Sequence, residues 1–271
     1  MFKALLGMFS NDIAIDLGTA NIRVFKCANG VIADEKSAIA IGYNRRNQEI
    51  VKAMGQEAIA LTEKGTEGIE LFKPIKNGVV SNFYAEMMMR YFLELAHDRK
   101  GLFAPRVMVS VPYDITNIQR VAISEMLLSA GARVIYFVEK PMAIAMGAGV
   151  PIKEEIGQLV VDLGAGTTDI AIFSKWNIIY GKSITIAGDV IDRAIIKYIK
   201  KKFNLTIHQR EARRLKEEIG TAIELSTELS RNLDYFDQVS SSVNSIKVTS
   251  EDIRKAIEKP LQEIAEAIEE L

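Results

Sequence analysis

Cysteine is almost absent from this chain. Cys27 stands alone among 271 residues, so no internal disulfide can form and a reducing, cytoplasmic setting suits the sequence. Histidine is scarce as well: His97 and His208 lie far apart, which speaks against a His/Cys zinc site. No apolar run reaches the ~18 residues that a membrane-spanning helix needs. Charge of neither sign dominates. The 34 Lys and Arg against 35 Asp and Glu leave a formal charge of −1 and no basic field to recruit nucleic acid, which is not expected as a partner. The opening Met1-Phe2-Lys3-Ala4-Leu5-Leu6-Gly7-Met8-Phe9 is too short for a signal peptide and lacks a small-residue cleavage pattern. The remainder, 48% hydrophobic and 25% charged, is globular composition with enough apolar material for one large domain or two moderate ones.

Short apolar or alternating runs predict strands at Ile13–Asp16, Ile22–Lys26, Val31–Ile41, Arg106–Val111, Val134–Val138, Leu159–Asp162 and Ile170–Phe173. Helices are predicted between them. Asn82–Asp98 carries Phe83, Met87, Tyr91 and Leu95 at fourfold spacing, with the Met87-Met88-Met89 run read as core and flank. Thr116–Ala130 is capped by Asp114 or Thr116 and ended by Gly131. Asp189–Phe203 and His208–Ala222 are rich in Lys and Arg, with Lys197–Lys202 read as a solvated face. Ser250–Leu271 is capped by Ser250 and bent by Pro260. Strand pairs followed by strand–helix–strand units imply an α/β fold with a mixed sheet.

The decisive feature is an internal near-repeat. Ile13-Ala14-Ile15-Asp16-Leu17-Gly18-Thr19-Ala20-Asn21-Ile22 parallels Val160-Val161-Asp162-Leu163-Gly164-Ala165-Gly166-Thr167-Thr168-Asp169-Ile170. Each is an apolar strand ending in Asp, a Leu-Gly turn with hydroxyls, and a return strand. A Gly/Thr hairpin turn can aim several backbone N–H groups at one phosphate, and glycine lets the backbone come close. A carboxylate at the strand end suits a magnesium partner beside those phosphates, which nominates Asp16 and Asp162. One such loop alone reads as a plain hairpin turn; two matched loops read as a clamp on a triphosphate. A third element, Phe137-Val138-Glu139-Lys140-Pro141-Met142-Ala143, delivers Glu139 to a strand tip ahead of a small-residue helix. Glu139 there either orients a water at a terminal phosphate or pairs with Lys140 in solvent.

This set resembles the actin-like ATPase superfamily, and closely the MreB/Mbl-type bacterial actins. Besides the two hairpins and the Glu139–Gly149 stretch, the resemblance rests on Lys73-Pro74-Ile75-Lys76-Asn77-Gly78-Val79, Val109-Ser110-Val111-Pro112, Gly188-Asp189 and Leu215-Lys216-Glu217-Glu218-Ile219-Gly220. It implies a ribonuclease-H-like duplicated fold with two large subdomains, each carrying a small insertion, around a nucleotide cleft. The expected first domain is 1–145 with an insertion at about 33–66. The second is 146–271 with an insertion at about 181–247, C-terminally incomplete because nothing here matches the family's Gly-Gly-rich adenosine turn. ATP and Mg2+ are the implied cofactors. By resemblance Asp16, Thr19, Ala20 and Asn21 match the first phosphate loop, and Asp162, Gly164, Ala165, Gly166, Thr167 and Thr168 the second. Glu139 matches the water-positioning residue, with Thr167 its helper. Gly188 and Asp189 close on the phosphates, and Arg213, Lys216 and Glu217 flank the nucleoside.

Three residues depart from that pattern. Ala165 and Ala187 replace usual glycines, from which weakened rather than lost binding is expected unless φ is positive there, and Lys140 stands where a second Glu is common. The resemblance implies an ATP-dependent filament that guides cell-wall synthesis and maintains rod shape, with a weak polymerisation-linked ATPase impaired by the missing segment. It also implies self-association, cell-wall elongation partners, and contact with the inner face of the cytoplasmic membrane through the N-terminus. There Phe2, Leu5, Leu6 and Phe9 recur at helical spacing beside Lys3. The alternatives are a small-molecule kinase or a chaperone-type ATPase of the same superfamily.

Overall fold

The computed structural model describes residues 10–27, 29–81, 83–96, 103–237 and 242–271; the N-terminal stripe Phe2–Phe9, with Lys3, and His97 lie outside them. The chain forms two compact units, divided between Ser183 and Ile184.

The first unit begins with β1 (Ser10–Leu17), β2 (Asn21–Lys26) and β3 (Gly30–Lys36). Next come β4 (Ile39–Tyr43), β5 (Glu49–Met54), α1 (Gly55–Glu63) and β6 (Ile69–Phe72), which make a small separate sheet in the order β5-β4-β6. The strand expected over Val31–Ile41 is therefore two strands in two sheets. At the break, the Ser37 N–H donates to the Ala20 carbonyl and the Ala38 N–H to the Lys36 carbonyl, turning the chain out of the first sheet. After the short pair β7 (Ile75–Lys76) and β8 (Val79–Val80) follow α2 (Tyr84–Ala96), β9 (Phe103–Val111), α3 (Asn117–Ser129), β10 (Val134–Glu139) and α4 (Lys140–Gly147).

The main sheet runs β10-β9-β1-β2-β3, with β1, β9 and β10 parallel and the β1–β2–β3 ribbon antiparallel. Alternation along the strands puts Ile13, Ile15, Leu17, Val107, Val109 and Val111 on one face, where they are sealed by Met88, Met89 and Phe92 of α2 and Ile123 and Leu127 of α3. The fourfold row is not the buried one: Phe83, just ahead of α2, and Tyr91 and Leu95 on it are 75%, 46% and 51% exposed, while Ala85, Met88, Met89, Phe92 and Ala96 are sealed. A strict fourfold row drifts by about 40° per step around a helix of 3.6 residues per turn, whereas the mixed three–four row stays on one side. Of the cap candidates for α3, Thr116 makes the capping box with Gln119, and Asp114 instead accepts the Ser183 N–H at 2.8 Å. On the other face of the sheet, Ala14, Phe25, Met108 and Tyr136 line an open hollow of about 340 Å3.

A second, three-stranded sheet, β11 (Gln158–Leu163), β12 (Thr168–Ser174) and β13 (Asn177–Ile184), covers a core of Ala145, Ile152, Val160, Ala171 and Phe173. The second unit holds α5 (Gly188–Phe203), α6 (Gln209–Ile219), the antiparallel pair β14 (Ser230–Asp237) and β15 (Ser242–Thr249), and α7 (Ser250–Glu269). Ile191, Ile195 and Ile199 of α5 meet Leu215 of α6 and Ile253 and Ile257 of α7 in its core. α6 stops at Ile219, short of the expected Ala222, because Gly220 leaves the helical conformation. No helix among the described residues is long and apolar enough to cross a membrane.

Thr249, not Ser250, caps α7. Its hydroxyl accepts the Asp252 N–H while the Asp252 carboxylate accepts the Thr249 N–H, both at 3.3 Å. Asp252 is 3% exposed. Burial alone would push its carboxyl up, but the Lys202 ammonium, the Thr249 N–H and the Tyr198 hydroxyl together hold it below the ordinary value. Next to it, Arg254 in a bidentate pair and Lys255 hold Glu251 down at about 2. Depressed carboxyls contribute stability above their unfolded pKa and lose it as pH falls towards the folded one. Stability should therefore decline between about pH 5 and pH 2. Asp252→Asn should cost roughly 1–3 kcal/mol at neutral pH and flatten that acid slope, read by urea unfolding across the range. An unchanged slope would show that this cap carries none of the acid sensitivity.

Candidate phosphate-binding site

Both hairpins of the repeat lie in the first unit, and their registers match. Asp16 pairs with Arg23 and Leu17 with Ile22 in the first; Asp162 pairs with Asp169 and Leu163 with Thr168 in the second. The loops left between, Gly18-Thr19-Ala20-Asn21 and Gly164-Ala165-Gly166-Thr167, are equal in length. A Cβ on Gly18 would stand 2.2 Å from the Asn21 carbonyl, so this turn closes only without a side chain there.

The two loops touch. A Cβ on Gly166 would lie 2.3 Å from Thr19 Oγ1 and 3.0 Å from the Cα of Asn77. Thr19 Oγ1 accepts the Gly78 N–H at 3.1 Å, and Asn77 and Gly78 both take positive φ to make that turn. The structure thus brings together Asp16, Thr19, Gly164, Gly166, Thr167 and the Asn77-Gly78 turn. Thr19 and Thr167 are 8% and 6% exposed and Thr168 is fully buried, so these hydroxyls are held in place rather than solvated. Among the described non-glycine residues φ is positive at Asn47, Asn77, Lys175, Trp176 and Asn204. Ala165 is not one of them and adopts its turn without conformational cost. Ala187 is extended and buried at the N-cap of α5.

Three parallel strands end side by side at this place, with Asp16 level with Ser110 and Glu139 level with Val111. Ser110 Oγ donates to Asp16 Oδ1 at 2.7 Å. The Lys140 ammonium, on a side chain 12% exposed, lies 3.6 Å from the same Asp16 oxygen. Burial pushes the Asp162 carboxyl up, and the Lys140 charge pulls it back down against Asp169 and Asp16. Asp169 points inward: its carboxylate accepts the Tyr113 N–H at 3.0 Å and the Thr167 hydroxyl at 3.1 Å. Glu139 pairs with Arg120 at 3.3 Å, not with Lys140, and Arg120 also lies over the Phe137 ring.

For a hard divalent cation the fit is poor. Magnesium beside phosphates is held by one or two carboxylates with waters and phosphate oxygens, so it would need the Asp16 and Asp162 oxygens free. Asp16 and Asp162, the two candidate ligands, face an ammonium instead.

The other candidate residues form a network in the second unit. Asp189 accepts from Gln209 at 2.9 Å and from Arg213 at 3.2 Å. Asp192, fully buried, takes Lys216 at 2.6 Å and Arg213 at 3.3 Å, and Lys216 also reaches the Gly188 carbonyl at 3.3 Å. Glu217 is exposed. Sequence reasoning missed Asp192, Ser110, Asp169 and Arg120. Of these only Ser110 carries a legible signal, a lone polar residue inside the apolar run Val107–Val111.

The fold and the duplicated hairpin define an actin-like protein. The crystal structure of MreB5 of Spiroplasma citri bound to AMPPNP superposes with a TM-score of 0.85 at 29% identity, over 97% of this chain and 78% of that one. A MamK double helical filament shares the fold at a TM-score of 0.78 and 18% identity, over 96% of this chain and 79% of that one. The MreB/Mbl protein family matches residues 10–271, and the chain belongs to it. The cell shape-determining protein MreB of Pasteurella multocida is 37% identical over 99% of this chain and 78% of its own length. The cell shape-determining protein Mbl of Bacillus subtilis is 34% identical over 97% and 79%.

The contact of Gly166 with Thr19 gives a direct test. Gly166→Ala should destabilise the first unit by about 1–3 kcal/mol through overpacking against Thr19 and Asn77. Thr19→Ala, which removes Oγ1, should recover part of that loss in the double variant. Additive losses in chemical unfolding would mean that the hairpins do not bear on each other.

Proposed function

We propose that this chain is a cell-shape cytoskeletal protein that binds an adenine nucleotide at the apposed hairpins and self-assembles into filaments. The observation that carries this reading is the closure of two matched Gly/Thr loops on each other, with Gly166 against Thr19. Backbone N–H groups in such loops suit phosphate, and buried hydroxyls at Thr19, Thr167 and Thr168 add donors already held in place. Asp16, Ala20, Asn21, Asp162, Gly164, Ala165 and Gly166 belong to the same reading. MreB5 of Spiroplasma citri, with AMPPNP bound, lends it a nucleotide, and the MamK filament lends the fold a polymer. We read the duplicated hairpins as opening domains 1–145 and 146–271, with insertions at about 33–66 and 181–247. Magnesium does not enter this reading through Asp16 and Asp162, because Lys140 stands at those carboxyls.

Glu139 ends β10 at the mouth of this site, and as a carboxylate it can accept a proton from a water attacking a terminal phosphate, with Thr167 beside it in the reading. Its pairing with Arg120 orients it. Gly188 and Asp189 open α5, whose N-terminus suits phosphate oxygens. Arg213 and Lys216 brace that loop, and Glu217 faces solvent, where it can serve a ribose. Membrane contact rests on the N-terminal stripe alone, and cell-wall elongation partners on the cell shape-determining role of the MreB and Mbl relatives.

Electron microscopy of the purified protein with ATP tests the main reading: filaments are expected. Phosphate transfer to a small molecule without filaments would favour a kinase. Glu139→Ala should leave nucleotide affinity within about threefold and slow phosphate release ~100-fold or more, as loss of a positioned base does. Abolished binding with unchanged turnover per bound nucleotide would remove Glu139 from that role. Deleting residues 1–9 should lower co-sedimentation with anionic vesicles, and equal sedimentation would dismiss the N-terminal contact.

A further inference from the structure

Lys140 sits where a cation is needed and where a helix least favours one. It is the first residue of α4, followed by Pro141, so its backbone is fixed at the positive end of the helix dipole. Helix stability therefore does not explain its position. Its side chain is only 12% exposed, and its ammonium is 3.6 Å from Asp16 Oδ1. Asp16 is fixed from the other side by Ser110, and Asp169 is satisfied by Tyr113 and Thr167. Glu139 is taken by Arg120. Asp162 feels the same Lys140 charge, which pulls its carboxyl down against the push of burial.

Two carboxylates beside a polyphosphate repel it unless a positive charge stands with them. Most nucleotide sites bring that charge in as a hydrated metal ion, but here a side chain already supplies it. We propose that Lys140 is a built-in counter-ion for Asp16 and Asp162, so that this chain binds nucleotide phosphates without requiring a divalent cation. An ammonium is a compact point charge with three donors on a flexible stem. It can stay paired with Asp16 while turning one N–H towards a phosphate oxygen, as lysines in phosphate loops do. The same charge disfavours a metal at the two carboxylates, since a divalent ion would have to displace or adjoin it. The proposal rests on the nucleotide-binding reading above, and one arm of its test does not.

The nucleotide-free arm titrates Mn2+ into wild-type protein, Lys140→Gln and Lys140→Glu, following bound ion by water-proton relaxation, with circular dichroism confirming that each variant is folded. Wild type should bind Mn2+ at least ~tenfold more weakly than Lys140→Glu, with Lys140→Gln between them. Equal Mn2+ binding by all three would overturn the proposal. The second arm titrates ADP in excess chelator and in excess Mg2+. Wild-type affinities should agree within about threefold, whereas Lys140→Gln should lose at least ~tenfold on chelation. A wild-type affinity that collapses with chelator would likewise overturn it. If ADP binds to none of the proteins under either condition, the nucleotide reading fails. Mn2+ ordering then still decides whether Lys140 excludes a metal from the two carboxylates.

Discussion

The rest of the site depends on one close approach, that of Gly166 to Thr19 and Asn77. Two hairpin loops with polar backbones can meet only where no side chain intervenes, and at Gly166 even a methyl group would overlap Thr19. That approach holds Thr19 Oγ1 where it accepts the Gly78 N–H, which in turn holds the Asn77-Gly78 turn in its left-handed conformation. A buried hydroxyl and a buried N–H left unpaired would each cost about 1–3 kcal/mol, so the contact is self-reinforcing. The matched registers of the two ribbons follow from the same need: each strand must end at the same height for the loops to meet.

Duplication of the backbone does not duplicate the electrostatics. In the first ribbon Asp16 sits across from Arg23, whose guanidinium turns outward to Asp34 at 3.1 Å. In the second, Asp162 sits across from another acid, Asp169. Asp169 is fully buried and fully hydrogen-bonded, as a buried carboxylate has to be. Its charge is one reason the neighbouring Asp162 carboxyl is raised. The first half-site therefore carries an accessible acid balanced by Lys140, and the second carries a structural acid that orients Thr167 and a raised one beside it.

Much of this was legible in the chain. The hairpins, the parallel strands and most helices follow from apolar alternation and from Gly and Thr at the turns. Asp16, Thr19, Gly164, Gly166 and Thr167 were named from the repeat and meet in one place. What escaped was what needs a third dimension. β5, β6 and β14 are strands with polar residues interleaved, which blurs the apolar alternation that marks a strand, and β6 finds its partner β4 only across a helix. The fourfold row on α2 was visible, yet the buried row is decided by what packs opposite it. Partner choice among charges was likewise hidden: Lys140 follows Glu139 in the chain, but successive residues at a strand-to-helix junction point apart. Glu139 finds Arg120 one helix away and Lys140 finds Asp16 across the sheet.

Asp192 shows how such hidden partners limit what visible residues can do. Its carboxylate is fully buried in the second unit and is compensated by Lys216 and Arg213. Removing one partner of a buried pair is costlier than never having formed it, because the remaining charge is stranded in a poor solvent. Neither cation can therefore leave Asp192 to neutralise an anionic ligand without a penalty of several kcal/mol. Lys216 still has donors for Gly188, and Arg213 divides its fork between Asp192 and Asp189. Both thus fix the start of α5 and leave its first N–H groups as the available donors. The basic residues picked out by sequence are spent on holding a helix terminus in place.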